Sequence, residues 1–275
     1  MNLFIISILF LLGASIGSFL SVVIYRVKHK IPGIFFGRSI CIDTKKSLKP
    51  WHLIPILSYI FLRGKSPYSG KKISIHYLLL EISMGLLFVA AFLKWNFLTQ
   101  TPTITDPSII LYSINWNILE TFTYQTILLS FLMAIFFYDL FYKIIPDRFS
   151  LPTLAIALAA GLINGTPEIL DMALGGILIF SFFALQFFLS KGKWIGGGDL
   201  RLGAVMGIIL GAKLGLIALM LSYITGSVIS IALLAGKKAT RKTQIPFGPF
   251  LVTGTIVTMF FGNEILNWYL NIFTI

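Results

Sequence analysis

The chain has 275 residues, of which 57% are hydrophobic and only 12% charged. Soluble domains hold about 45–50% apolar and about 25% charged residues, so these polar groups cannot cover a globule, and the chain reads as an integral membrane protein. Lys and Arg number 22 against 10 Asp and Glu, a formal net charge of +12. On a soluble chain that excess would point to nucleic acid; on a membrane chain it encodes topology, and no nucleic-acid partner is expected. The single cysteine, Cys41, excludes an intramolecular disulfide and a cysteine-rich metal cage.

Residues 3–25 are apolar and uncharged, and Arg26 is the first charge. Without a basic n-region, and longer than a signal-peptide core, this segment is a retained first span. Gly13, Gly17 and Ser21 recur at four-residue spacing, a small-residue stripe on which a neighbouring helix packs closely. A polar loop, 26–72, follows with eleven basic residues and is the one candidate for a small extramembrane subdomain. Further spans fall at 75–94, 119–142, 149–164, 170–190, 202–212, 214–236 and 248–264. A straight helix needs about 20 residues to cross, so 202–236 is read either as two crossings or as one long broken element. Residues 95–118 form a polar outer loop with no interpretable motif. The expected fold is an all-α polytopic membrane protein of about eight transmembrane helices. It divides into a first helix (1–25), a basic loop subdomain (26–74) and a transmembrane domain (75–275).

Alternating the loops gives one side the segments 26–72, 143–148, 191–201 and 237–242, which together hold 20 of the 22 basic residues. Lys94 and Lys213 fall on the other side, with Asp106, Glu120 and Glu168 in or beside its loops. The positive-inside rule makes the first set cytoplasmic, with both termini outside.

An ionisable residue in or at the edge of a span is a functional candidate, because burying a charge in hydrocarbon is expensive. The candidates are Glu81, Asp139, Asp147 and Asp199. Asp139 lies near the cytoplasmic end of the third span, and Pro146-Asp147 marks the following turn, where Asp suits a helix N-cap. Asp199 closes Gly196-Gly-Gly198-Asp199 at the start of the sixth span, where glycines hold an acid at the membrane surface without side-chain obstruction. Gly-x-Gly-Asp alone is a weak motif, and a phosphate-cradling loop is disfavoured because no Lys-Ser/Thr pair follows. On this topology Asp139 and Asp199 share a face and a depth. Two carboxylates brought together titrate as a unit, which is the equipment of an aspartic protease. One member takes a proton from water while the other polarises the scissile carbonyl. A Ser/His/Asp arrangement is poorly supported: His29, His52 and His76 lie in or beside one loop, and Gly13-Ala-Ser15-Ile-Gly17 sits inside the first span rather than at a strand-to-helix turn.

In these features the chain resembles the bacterial type IV prepilin leader peptidases, membrane aspartic proteases of the Gly-x-Gly-Asp type. The resemblance covers nearly the whole length. It rests on Gly17-Ser-Phe-Leu-Ser-Val-Val-Ile-Tyr-Arg26, Ile54-Pro-Ile-Leu-Ser58, Leu62-Arg-Gly64, Asp139 with Ile145-Pro-Asp147, Gly196-Gly-Gly-Asp199 with Leu200-Arg-Leu202, and Ile245-Pro-Phe-Gly-Pro249. It implies that Asp139 and Asp199 are the catalytic pair, with Gly196, Gly198 and the nearby Asp147 supporting them. It also implies cleavage of the short basic leader of prepilins and pseudopilins at the cytoplasmic face of the bacterial inner membrane.

Family members commonly carry two Cys-x-x-Cys pairs in the first loop, a set suited to zinc. The aligned positions here are Cys41, Thr44, Ser66 and Ser69, so no structural zinc is expected and the loop is held by packing on the membrane surface. His76-Tyr77-Leu78 replaces the usual Arg-Tyr-Pro, while Glu81 is retained and is read as a structural partner. Proteolysis requires no cofactor. S-adenosylmethionine enters only through the family, many of whose members methylate the new N-terminus. Anionic lipids are the expected partner of the basic loops. Two other readings stay open at this point: a presenilin-type intramembrane protease, and a transporter or scaffold with paired carboxylates.

Overall fold

The computed structural model describes residues 2–31, 33, 37–41, 43–102, 110–237, 240 and 243–273. Asp106 and three of the cations in the 237–242 loop, Lys238, Arg241 and Lys242, lie outside the described residues. Long apolar helices dominate: α1 (Asn2–Lys28), the five-residue α2 (Leu57–Phe61), α3 (Ile75–Lys94), α4 (Trp116–Tyr142), α5 (Asp147–Asn164), α6 (Ile169–Ser190), α7 (Gly197–Ala235) and α8 (Gly248–Phe273). Among the described residues six of them, α1, α3, α4, α6, α7 and α8, are long and apolar enough to cross a membrane. The all-α polytopic fold is therefore present. A small antiparallel pair, β1 (Leu98–Pro102) with β2 (Ile110–Ile114), occupies the polar stretch that carried no motif.

The chain forms two compact units, 1–130 and 131–275, the division falling inside α4. In the first unit α1 packs on α3 through the small-residue stripe. A Cβ on Gly17 would lie 2.8 Å from Glu81 Cα, and one on Gly13 would lie 2.5 Å from the Met84 carbonyl oxygen. Close approach of the two backbones is what the four-residue spacing encodes. After α1, Arg26 turns back and donates to the carbonyls of Gly33, Gly37 and Arg38 at 3.0, 3.3 and 3.2 Å, which folds the start of the basic loop over the helix end.

In the second unit α7 packs against α5, α6 and α8. Its 39 residues would span about 58 Å as one rod, nearly twice a bilayer core. Gly211 resolves this with φ 74° and ψ −177°, a conformation open to glycine. A Cβ on Gly215 would lie only 3.5 Å from Gly207 Cα, whereas eight residues of unbroken helix cover about 12 Å. The chain therefore reverses at Gly211, and α7 is two arms, 197–210 and 212–235. Asp171 in the first turn of α6 secures the reversal, accepting from the Ala212 amide at 3.0 Å. The expectation is of about eight transmembrane helices; among the described residues, splitting α7 here and counting the shorter α5 gives eight helical segments besides α2, so that figure holds approximately.

Gly175 and Gly207 bring α6 and the first arm of α7 into backbone contact, a Cβ on Gly207 falling 2.2 Å from the Gly175 carbonyl oxygen. Gly207→Ala must push these helices apart. Overpacking of this kind costs about 1–3 kcal/mol, and denaturant titration in mixed micelles should show that loss; wild-type stability would contradict the contact.

Candidate active site

Asp139 and Asp199 stand at one end of the second unit. Asp139 is in the last turn of α4 and is 4% exposed. Its Oδ2 accepts a hydrogen bond from the Gly248 amide, the first residue of α8, at 2.9 Å. Asp199 is half-buried in the first turn of α7, and its Oδ2 accepts from the Gly196 amide at 3.0 Å. Both carboxylates thus face a helix N-terminus, where unpaired amides and the helix dipole favour an anion.

Ile145 joins the two halves of the site. A Cβ on Gly198 would fall 2.8 Å from Ile145 Cβ, and one on Gly248 would fall 2.6 Å from Asp139 Oδ2 and 3.2 Å from Ile145 Cδ1. One isoleucine therefore touches the glycine preceding Asp199 and the glycine that donates to Asp139. The expected pair and its supporting glycines Gly196 and Gly198 are brought together by α4, α7 and α8.

The loop before α8 is fixed from two directions. Lys143 Nζ donates to the Gln244 carbonyl at 2.9 Å, and the Phe247 ring packs 5.1 Å from Tyr223, whose hydroxyl donates to Gln186 Oε1 at 3.1 Å. The resemblance flagged Ile245–Pro249 as a motif without assigning its parts; Gly248 is the part that meets the carboxylate. Asp147 lies elsewhere in this end. Pro146, not Asp147, occupies the N-cap of α5, and Asp147 is exposed in the first turn and ion-paired with Arg201. The expected cap is thus an ion pair that ties the starts of α5 and α7. Asp171, which the sequence did not single out, holds the opposite end of the unit; its signal was its position in the first turn of a predicted span.

Residues 11–95 match the bacterial peptidase A24 N-terminal domain, and residues 126–231 match the type IV leader peptidase family. A prepilin leader peptidase/N-methyltransferase of Xanthomonas campestris pv. campestris is 32% identical over 286 residues, covering 94% of this chain and 92% of that protein. The chain belongs to the type IV leader peptidase family. The peptidase is also similar to proteins of the same name from Bacillus subtilis, 29% identical with 96% of this chain and 98% of the relative covered, and Legionella pneumophila, 30% identical with 94% and 92% covered. No solved structure matches it. Membership sets aside the presenilin-type and transporter readings.

In the first unit the peptidase brings its degenerate metal positions into two facing turns. Cys41 closes one (Lys45 N–H to Cys41 carbonyl, 2.9 Å) and Ser66 the other (Gly70 N–H to Ser66 carbonyl, 2.9 Å). Cys41 Sγ sits 3.4 Å from Ser66 Oγ. Thr44 lies in the Cys41 turn, and Ser69 donates from its hydroxyl to Asp43 Oδ2 at 3.0 Å while Lys71 pairs with Asp43 Oδ1 at 2.7 Å. One thiol and three hydroxyls do not fit zinc, which takes thiolate, imidazole or carboxylate donors. No group of three or more such residues that could hold a metal exists among the described residues. The cavity of about 390 Å³ among α5, α6 and α7 is lined by Leu158, Met172, Phe180 and other apolar residues, with no group to meet the charges of S-adenosylmethionine. Glu81 is buried on α3, accepting from the Ile56 amide at 2.7 Å. It holds a backbone, as a structural partner, rather than a basic side chain.

Two outcomes follow. Gly248→Ala places its Cβ against Asp139 Oδ2; an ångström of displacement at a reacting group costs on the order of 10²-fold, so leader cleavage should drop by that order with helix content unchanged, and wild-type turnover would contradict the geometry. The Ser66 hydroxyl, followed by donors of the Thr44 turn, lowers the Cys41 thiol from 9.0 to about 7. The stabilisation the thiolate gives the folded loop is then complete above the range where a free thiol ionises and is lost as pH falls through about 7. Alkylation of Cys41 should show that midpoint and move upward in Ser66→Ala; a midpoint near 9 in both proteins would contradict it.

Proposed function

We propose that the chain removes the short basic leader from type IV prepilins or pseudopilins at the cytoplasmic boundary of the bacterial inner membrane, using Asp139 and Asp199 to activate water. The observation that carries this is the convergence of the two carboxylates, each on a backbone amide and linked through Ile145. The ionised carboxylate removes a proton from water as its oxygen attacks the scissile carbonyl carbon. The protonated carboxylate donates to the carbonyl oxygen, where negative charge develops. Collapse of the tetrahedral diol breaks the C–N bond, and the leaving amine receives a proton from the pair. The step needs neither a covalent intermediate nor a metal, and we assign no zinc to the Cys41–Thr44–Ser66–Ser69 turns.

In this reading residues 75–275 are the peptidase domain, preceded by the first span (1–25) and the basic loop (26–74). The positive loops mark the cytoplasmic face, the side on which a basic leader remains while the precursor's apolar helix crosses. Asp147 and Arg201 position the start of α7 and do not enter the chemistry. Anionic lipid headgroups, not the leader, are the partner of the basic loops, since leader and loops carry the same sign. The relatives' names join N-methyltransferase to peptidase, and transfer of a methyl group from S-adenosylmethionine to the new N-terminal amine is the second proposed activity. The conserved pairing of names, not a site among the described residues, supports it.

Asp139→Asn and Asp199→Asn, reconstituted in proteoliposomes with a prepilin, should each cut about 10²–10⁴-fold more slowly, the usual worth of a positioned acid or base, while keeping wild-type helix content. Wild-type cleavage by both variants would refute the assignment. With methyl-labelled S-adenosylmethionine, the wild type should label the mature N-terminus; full cleavage without label would remove the second activity.

A further inference from the structure

Between the two turns of the basic loop runs a segment with an unusual surface. Trp51, Leu53, Ile54, Leu57, Ile60 and Phe61 are all exposed, Phe61 at 79% and Trp51 at 58%, within eleven residues. His52, Pro55, Ile56, Ser58 and Tyr59, on the other side, are partly covered. So contiguous an apolar face is a contact surface rather than scattered exposure.

Its position is fixed by Glu81. Ile56 donates its amide to Glu81 Oε2 at 2.7 Å, and Glu81 lies six residues, about 9 Å, along α3 from Ile75. It also packs beside Gly17 of α1, nine residues, or about 13 Å, before Arg26, the first charge of that helix. The middle of the segment therefore sits below the helix ends, not above them. The Ile56 amide is satisfied there by Glu81, and those of Leu57 and Ser58 by the Pro55 and Ile54 carbonyls, as a nonpolar setting requires. Ile56 has φ 64° and ψ −54°, and Leu57 donates to the Pro55 carbonyl at 2.6 Å, forming a tight γ-turn that a β-branched residue adopts only under constraint. Lys49, Arg63 and Lys65 border the segment, and Lys49 Nζ lies 5.1 Å from the Trp51 ring.

We infer that residues 50–61 form an in-plane membrane element: its apolar face enters the bilayer to the depth of the headgroup and acyl boundary, its bordering cations bind anionic headgroups, and Glu81 clamps it to α3. Interfacial elements insert about 5–10 Å, which is the depth the Glu81 contact sets. Trp at such a boundary and cations at the headgroups are the usual anchors. The inference deepens the anionic-lipid partner proposed above and is independent of cleavage.

The test uses the full chain carrying Cys41→Ser and a single new cysteine, Trp51→Cys, Phe61→Cys or Tyr68→Cys, labelled with an environment-sensitive fluorophore in nanodiscs containing phosphatidylglycerol. Labels at 51 and 61 should emit to the blue, be quenched by lipids bearing a nitroxide near the headgroup several times more than the label at 68, and resist aqueous iodide. Iodide access at 51 and 61 equal to that at 68 would overturn insertion, whether or not the same protein still cleaves a prepilin. Replacing Lys49, Arg63 and Lys65 by glutamine should weaken lipid quenching at 51; unchanged quenching would overturn the headgroup contact.

Discussion

A carboxylate in hydrocarbon must be given a hydrogen-bond donor, and this chain supplies the same donor each time: a backbone amide. Asp139 takes the amide of Gly248, Asp199 that of Gly196, Asp171 that of Ala212 and Glu81 that of Ile56, at distances from 2.7 to 3.0 Å. All four donors stand at the start of a helical segment, where amides lack intrahelical partners, and at the three long arms the dipole favours negative charge by about 0.3–1 kcal/mol or more. A backbone donor carries no flexible side chain and cannot lose its proton. The acids are thereby fixed in place by the same peptide groups that would otherwise be left unsatisfied in the membrane.

That solution has a geometric requirement. An amide can approach a carboxylate head-on, and helices can approach each other within backbone contact, only where no Cβ intervenes. Glycine meets both needs: Gly248 beside Asp139 Oδ2, Gly198 against Ile145, Gly175 against Gly207, and Gly17 against Glu81. Of the four tethered acids, Glu81 and Asp171 hold backbone segments, a loop turn and a helix reversal. Asp139 and Asp199 differ because their tethers bring them to the same end of one unit, with a single isoleucine between the glycines that serve them. The same bond type therefore serves as a structural clamp in two places and supports the proposed catalytic pair in another.

Much of this was legible in the residues. Span length and apolarity are local properties, so the helices could be read directly, as could the small-residue stripe of α1 and the two aspartates that hydrocarbon makes costly. Reversal at Gly211 was only half legible, since an arm of 14 residues is too short for a standard span and its turn depends on one glycine dihedral together with a carboxylate 40 residues upstream. Donors to the acids were hidden altogether, because every residue but proline has an amide and no side-chain pattern marks which one is used. For the same reason Glu81 could be read as a structural partner while its donor, the Ile56 amide, stayed unmarked in the sequence. The residue types at Cys41, Thr44, Ser66 and Ser69 could be read from the sequence, but the closure of their turns by a thiol–hydroxyl contact and an Asp43–Lys71 pair depends on two turns facing each other.

The central claim is that Asp139 and Asp199 act together on a tetrahedral centre made from water and the scissile carbonyl. The most direct measurement is the binding of a leader-junction peptide whose scissile carbonyl is replaced by a hydroxymethylene group, a stable mimic of that centre. Transition-state mimics bind at least about 10²-fold tighter than substrates. The account predicts that gain in the wild type and its loss in both Asp139→Asn and Asp199→Asn. A mimic that binds no tighter than the parent peptide, or binds both variants as tightly as the wild type, would contradict it.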